Sequence, residues 1–273
     1  MKYNQYDYTY AVANINAIYR KLLNTSTIEK MLSCATSMDA ARVLVELGWH
    51  DGDNFDEILR NEVIRTFEYV DSLGGSAVTA LFRTKYDFHN LKALVKSELA
   101  GSKADNLLID TGNFKVDTLR KYVLERDYSR FPMLEECFEN YGKLKDAQIV
   151  DIILDKAMFS ELTRLAQVHK DIERLTAMLI DVHNSKTAAR MKYMNKDLPR
   201  AFIDGGTVEF GVDTEFNSDE YDRFLDNARN EYFGIMPLYA YMVAKENEIQ
   251  NARIILVCKN NGIENEVIRR CIK

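Results

Sequence analysis

Apolar residues recur along this chain at three- and four-residue steps, the spacing that gathers them on one face of an α-helix. Val12, Ile15, Tyr19, Leu22 and Leu23 begin the pattern, and Thr25-Ser26-Thr27 interrupts it. Ile28, Met31 and Leu32 resume it, with Thr27 and Lys30 as half of a capping box, and Ala40, Ala41, Leu44 and Val45 predict a further short helix. Gly48 to Asn54 reads as a loop. Helical order returns from Phe55 to Leu73 and stops at Gly74-Gly75-Ser76. The next helix carries Leu81, Phe88, Leu91, Val95 and Leu99 as one stripe, and residues 100–114 form a connection. Asp117 is the expected N-cap of a helix from Thr118 to Arg126, and another ends at Gly142. Ile149 to Leu165 is expected to run on into a helix seated by Leu175, Val182, Ala189 and Tyr193. Met236-Pro237 opens the last long helix, Gly262 stops it, and Ile263 to Ile272 closes the chain.

Two of these helices share more than a period. Asp87-Phe88-His89-Asn90-Leu91-Lys92 returns as Asp181-Val182-His183-Asn184-Ser185-Lys186, and at the same offset Ile109-Asp110-Thr111-Gly112 falls on Ile203-Asp204-Gly205-Gly206. Glu248, Asn251 and Arg253 repeat the charge signs and the Asn in a third, looser copy. Self-similarity of this kind predicts one helical unit used three times, with repeats at 1–105, 106–198 and 199–273. Asp87, Asn90 and Lys92, like Asp181, Asn184 and Lys186, border the apolar stripe. There a carboxylate and an amide can bind backbone N–H and C=O groups of a neighbour. A catalytic or metal-binding use of the motif would require distant helices to converge, and the third copy has Gln250 in place of His.

Composition sharpens the class. Three Pro and twelve Gly leave few helix breakers, so the expectation is an all-α protein. A formal net charge of -6 argues against general nucleic-acid binding and against adhesion to anionic lipid. No apolar run is long enough to cross a bilayer and the start opens no signal peptide, so a cytosolic or peripheral protein is expected. The four cysteines form no C-x-x-C pair and read as reduced core residues. In the frame from Asp51 an EF-hand would have Asp56 and Glu62 at its sixth and twelfth positions, so the Gly that the sixth position needs is missing and the loop reads as a solvated turn. The His50-Asp51 doublet sits between glycines rather than inside a helix, where a metal-dependent phosphohydrolase would hold it. No G-x-x-x-x-G-K-[ST] loop occurs, so the phosphate cradle of nucleotide hydrolysis is missing, and with the metal readings above set aside no catalytic, cofactor-binding or metal site is expected. Lys186, Arg190, Lys192, Lys196 and Arg200 make a basic stretch followed by acidic residues from Asp204 to Glu231, a candidate docking patch for a charged partner.

The closing segment is the most specific. Pro237-Leu238-Tyr239-Ala240-Tyr241, then Lys245-Glu246-Asn247-Glu248-Ile249 with Asn251 and Arg253, then Gly262 and Glu266-Val267-Ile268-Arg269, resembles the C subunit of bacterial and archaeal V/A-type rotary ATPases, known as the d subunit in the eukaryotic enzyme. The D-x-x-N-x-K helices at Asp87 and Asp181 look like the same element in earlier repeats, so the resemblance covers nearly the whole chain. It implies three similar helical domains around a pseudo-threefold axis, shaped like a funnel. It also implies a non-catalytic part of the central stalk that receives the shaft made by the D and F subunits and sits on the proteolipid rotor ring at the cytoplasmic membrane face. Such a part couples ATP turnover to proton or sodium transport without binding nucleic acid or spanning the membrane. The competing readings are a helical-repeat adaptor of another complex and a metal-dependent all-α hydrolase.

Overall fold

A computed structural model describes residues 8–195 and 199–272. The protein is all-α: among the described residues there are twelve α-helices and no strand. The chain divides into two compact units, residues 1–79 with 227–273 and residues 80–226.

The first unit opens with α1 (Thr9–Tyr19), α2 (Thr25–Ser33), α3 (Ser37–Glu46) and α4 (Phe55–Ser72), and it is completed by α11 (Met236–Asn260) and α12 (Asn265–Cys271). The break expected at Thr25 to Thr27 falls earlier. Asn24 is the N-cap of α2, and its side-chain oxygen accepts from the Thr27 amide, so Thr25 already lies inside the helix. Thr36 and Asn54 cap α3 and α4 in the same way. α11 is buried on nearly every side over its first two turns, from Met236 to Met242, and packs on α1, α3 and α4. Pro237 sits in its first turn, where the missing N–H costs nothing.

The second unit contains most of α5 (Ser76–Ala100), then α6 (Val116–Leu124), α7 (Met133–Leu144), α8 (Gln148–Ala166), α9 (Lys170–Met194) and most of α10 (Asp219–Arg229). Short 3₁₀ turns at Asp105–Leu107 and Pro199–Ala201 follow the two long helices α5 and α9. The main core joins Phe88, Leu91 and Val95 of α5 to Leu119, Leu134, Cys137 and Leu154.

Several boundaries differ from the sequence expectation. α6 starts at Val116, so Asp117 lies in its first turn and favours the positive end of the helix dipole rather than capping it. α7 continues past Gly142 and ends at Lys145 in the left-handed conformation. α8 does not run on into α9, because His169 caps α9 with its ring nitrogen toward the Asp171 amide. On α9 the expected seats Ala189 and Tyr193 are exposed and Val182 is only half-buried, while Ala188 and Met191 are buried and pack with Phe202. With Ser185 where α5 has Leu91, the apolar stripe turns toward the segment that returns along α9. The acidic stretch from Asp204 to Glu231 contains the helix α10, with Asp219, Glu220 and Asp222 in its first turn.

Candidate functional site: a repeated backbone clamp and a basic helix end

The motif residues of α5 and α9 hold loops. In α5 the Asp87 carboxylate accepts from the backbone amides of Asn113 and Phe114, each at 3.0 Å, and from the Asn113 side-chain amide at 3.0 Å. One turn on, Asn90 accepts from the Ile109 amide at 2.9 Å and donates to the Ile109 carbonyl at 2.8 Å. In α9 the Asp181 carboxylate accepts from the amides of Thr207 and Val208 at 2.9 and 3.2 Å, and from the Thr207 hydroxyl at 2.5 Å. Asn184 makes the same pair of bonds to Ile203, both at 2.8 Å. The Asn-to-Ile step is 19 residues in each copy, and the Asp-to-amide steps are 26 and 27. Asp87, Asn90, Asp181 and Asn184 are all buried, so each bond satisfies a group that water cannot reach.

The glycines explain themselves here. Gly112 lies against Asp87 and Gly206 against Asp181, and a Cβ at either would collide with the carboxylate Oδ1. Neither needs a positive φ; what each needs is room. The neighbouring motif positions tie helices instead. Lys92 pairs with Asp155 of α8 at 2.5 Å, and His89 meets the Leu107 carbonyl at 2.9 Å. His183 packs edge-on to Phe159, and burial holds its imidazole below the usual histidine value. Burial likewise pushes the Asp87 carboxyl up, against the opposing pull of its Phe114 and Asn113 hydrogen bonds.

The third copy clamps a different partner. Glu248 Oε1 accepts from the Leu23 amide at 2.7 Å, across 225 residues of sequence, so the segment held is the beginning of the chain. Glu248 Oε2 lies 2.5 Å from Lys245 Nζ, and the same ammonium is 2.6 Å from Glu62 Oε1 and sits over the Trp49 ring. Arg65 reaches Glu62 Oε2 at 2.9 Å and donates to the Gly48 carbonyl at 2.6 Å. Two carboxylates and two cations thus neutralise one another inside the unit, where an unpaired charge would be costly. Burial raises the Glu248 carboxyl, with Lys245 pulling the other way, and raises the Tyr241 phenol beside it. Asn251 is buried on the same helix, and exposed Arg253 lies 3.4 Å from Asp56. Glu62 was legible: it falls at helical spacing among Ile58, Leu59, Val63 and Phe67, on the face that must be buried.

The basic stretch lies at the end of α9 and beyond it. Lys186, Arg190, Lys192 and Arg200 are exposed; Lys196 lies outside the described residues. Lys192 approaches Asp213 at 3.5 Å, both well exposed, a contact worth little. Tyr193, next to it, is 92% exposed. Among the described residues no group of three His, Cys, Asp or Glu side chains is placed to hold a metal ion, and no helix is long and apolar enough to cross a membrane.

Buried Asp and Asn side chains that hold returning loops, recurring at one spacing in α5 and α9, define an all-α protein with an internally repeated clamp. The ATP synthase (C/AC39) subunit family matches residues 11–226 and 211–271, and the chain belongs to that family. It is similar to the C subunit of the V-type sodium ATPase of Enterococcus hirae, 24% identical over 304 residues, covering 91% of this chain and 93% of the relative. It is also similar to the C subunit of the A-type ATP synthase of Haloquadratum walsbyi, 20% identical over 331 residues with 98% and 93% covered. A third similar protein is the A-type ATP synthase C subunit of Methanosarcina acetivorans, 20% identical over 338 residues with 96% and 92% covered. The family match and the names of these relatives agree on the C subunits of V- and A-type ATPases as the family to which the chain belongs.

Proposed function

We propose that the chain is the central-stalk spacer of such an ATPase. In this reading it receives the end of the shaft formed by the D and F subunits on one side and rests on the proteolipid rotor ring on the other, at the cytoplasmic face of the membrane. Torque then passes through it between ATP turnover and the movement of protons or sodium ions. The three repeats, at 1–105, 106–198 and 199–273, would stand about a pseudo-threefold axis as a funnel, the third closed by the chain's own beginning through Glu248 and Leu23.

The observation that carries this reading is the pair of clamps with the same residues at the same steps in α5 and α9. A part that transmits torque must resist shear between its helices and the loops that join them. Backbone hydrogen bonds to buried, pre-packed side chains supply that stiffness. The basic residues Lys186, Arg190, Lys192, Lys196 and Arg200 are placed in this reading at a protein interface, meeting acidic groups of a partner rather than lipid.

The test is reconstitution. The wild-type chain should co-purify with the shaft and ring proteins, and added salt should loosen it. Lys192→Glu with Lys196→Glu should keep the helicity of the isolated chain and reduce both assembly and ATP-driven ion pumping. Unchanged assembly and pumping in that double variant would remove the basic stretch from the interface, and a wild-type chain that binds neither shaft nor ring would remove the reading altogether.

A further inference from the structure

The clamp of α5 also builds a cavity. With Asp87 holding the Asn113 and Phe114 amides, the Phe114 ring is set edge-on to Phe131 at 5.3 Å. Phe131 is in turn packed edge-on to Tyr122 at 5.4 Å and to Phe88 at 6.4 Å. Between this aromatic cluster and α8 lies a cavity of about 360 Å³, floored by Phe88, Phe114, Phe131, Met133 and Leu165, within the size range of sites that accept a ligand or a large side chain. Its walls are fixed by buried hydrogen bonds and ring packing, so an occupant would not have to order them.

The mouth is charged. Arg130, Arg164 and Glu161 line it, and Glu161 is taken up by Arg164 in a two-bond pair at 2.6 and 2.7 Å. That pairing, with a smaller pull from the nearby Arg130 charge, holds the Glu161 carboxyl below its usual range. Arg130 is exposed, makes no ion pair among the described residues, and lies 5.5 Å from the Phe114 ring. The Arg130 guanidinium thus stands at the cavity outside the two-bond Arg164–Glu161 pair, sensed by Glu161 only through its charge, and the Asp87 carboxylate that also lines the cavity is saturated by its amides.

We propose that this cavity is a docking socket for a protein segment that presents one large apolar side chain with an Asp or Glu beside it, the apolar group entering between Phe114 and α8 and the carboxylate meeting Arg130. The apolar insertion would supply most of the affinity and the ion pair the register. This rests on the chain being part of a larger assembly, and it names a contact that the basic end of α9 does not explain.

The experiment uses the whole chain mixed with the other subunits of its ATPase. Ala157→Trp places an indole in the cavity, Arg130→Glu reverses the rim charge, and Arg130→Lys keeps it; circular dichroism and thermal unfolding confirm that each remains folded. Binding to the complex should fall about tenfold or more for Ala157→Trp and for Arg130→Glu, the latter loss shrinking as salt rises, with Arg130→Lys near wild type. Amide hydrogen exchange over residues 129–134 should slow on assembly of the wild type. Wild-type affinity in both disruptive variants, or unchanged exchange over 129–134 in an assembled wild type, overturns the socket while leaving the proposed function standing. Saturable uptake of decanoate into this cavity, blocked by Ala157→Trp and without effect on assembly, also overturns it in favour of a free amphipathic carboxylate. A wild type that joins no complex overturns the proposed function and the socket together.

Discussion

At Gly112 and Gly206 a single methyl group is enough to disturb a clamp, because the atom it would strike is not the loose end of a side chain but a carboxylate oxygen held by backbone amides. Gly206→Ala should cost about 1–3 kcal/mol, the usual penalty of overpacking a well-filled interior, read as a lower urea midpoint with an unchanged slope. Asn184→Ala leaves the Ile203 N–H and C=O buried without partners and should cost about 2–4 kcal/mol, from one to two unmade buried hydrogen bonds. Glu248 supplies the pH dependence. Its carboxyl is raised in the fold, so the folded chain binds that proton more readily than the unfolded chain does. Its contribution is then fully present below the ordinary carboxylate range and is lost as pH rises through the raised folded value. Glu248→Gln keeps an acceptor for the Leu23 amide without the charge, so the stability gap between wild type and variant should shift in the variant's favour as pH rises through that window. Urea titrations at a series of pH values check the sign.

Among the elements, α2, α3 and α4 of the first unit begin by side-chain capping: Asn24, Thr36 and Asn54 each stand in extended backbone and accept from the amide three residues on. Asn54→Ala should therefore lower stability by about 1 kcal/mol, while Asn54→Asp should be nearly neutral, as thermal unfolding would report. These starts were readable from residue type, and the miss at Asn24 came from choosing between three neighbouring cap-forming residues. The stops were harder. Lys145 and Asn195 end α7 and α9 in the left-handed conformation without being glycine, a choice that the tertiary setting makes and the local sequence does not announce. The seats of α9 were misread for a related reason. Copying the stripe of α5 assumed that both helices present one face to the same kind of neighbour, whereas Ala188 and Met191 turn to Phe202. The clamp survived that difference because it depends on two polar residues one turn apart and a loop of fixed length, all of which the repeated letters showed. The cavity under Arg130 left no such trace, since its walls come from α5, α8 and the approach to α7.

For the molecule as a whole, the first unit is written at both ends of the sequence. α11 supplies Lys245 and Glu248 to the charge cluster and most of the apolar surface that α1, α3 and α4 cover. A chain ending before Met236 should thus fail to protect residues 8–79 from proteolysis, while much of 80–226 keeps its helicity; limited digestion with mass spectrometry separates the two. Survival of an intact 8–79 fragment would mean that these helices hold together without α11.

The Glu248–Leu23 bond also sets a timetable. A ribosome delivers Leu23 long before Glu248, and the intervening residues 80–226 are complete before α11 has emerged. Residues 8–79, though made before residues 80–226, are consequently finished after them. Through most of synthesis Ile15, Leu32, Leu44 and Phe67 lack the helix that completes their core. A nascent chain in that state presents apolar surface for as long as translation of the middle takes, which makes the speed of elongation and the company of chaperones part of what this sequence needs in order to fold.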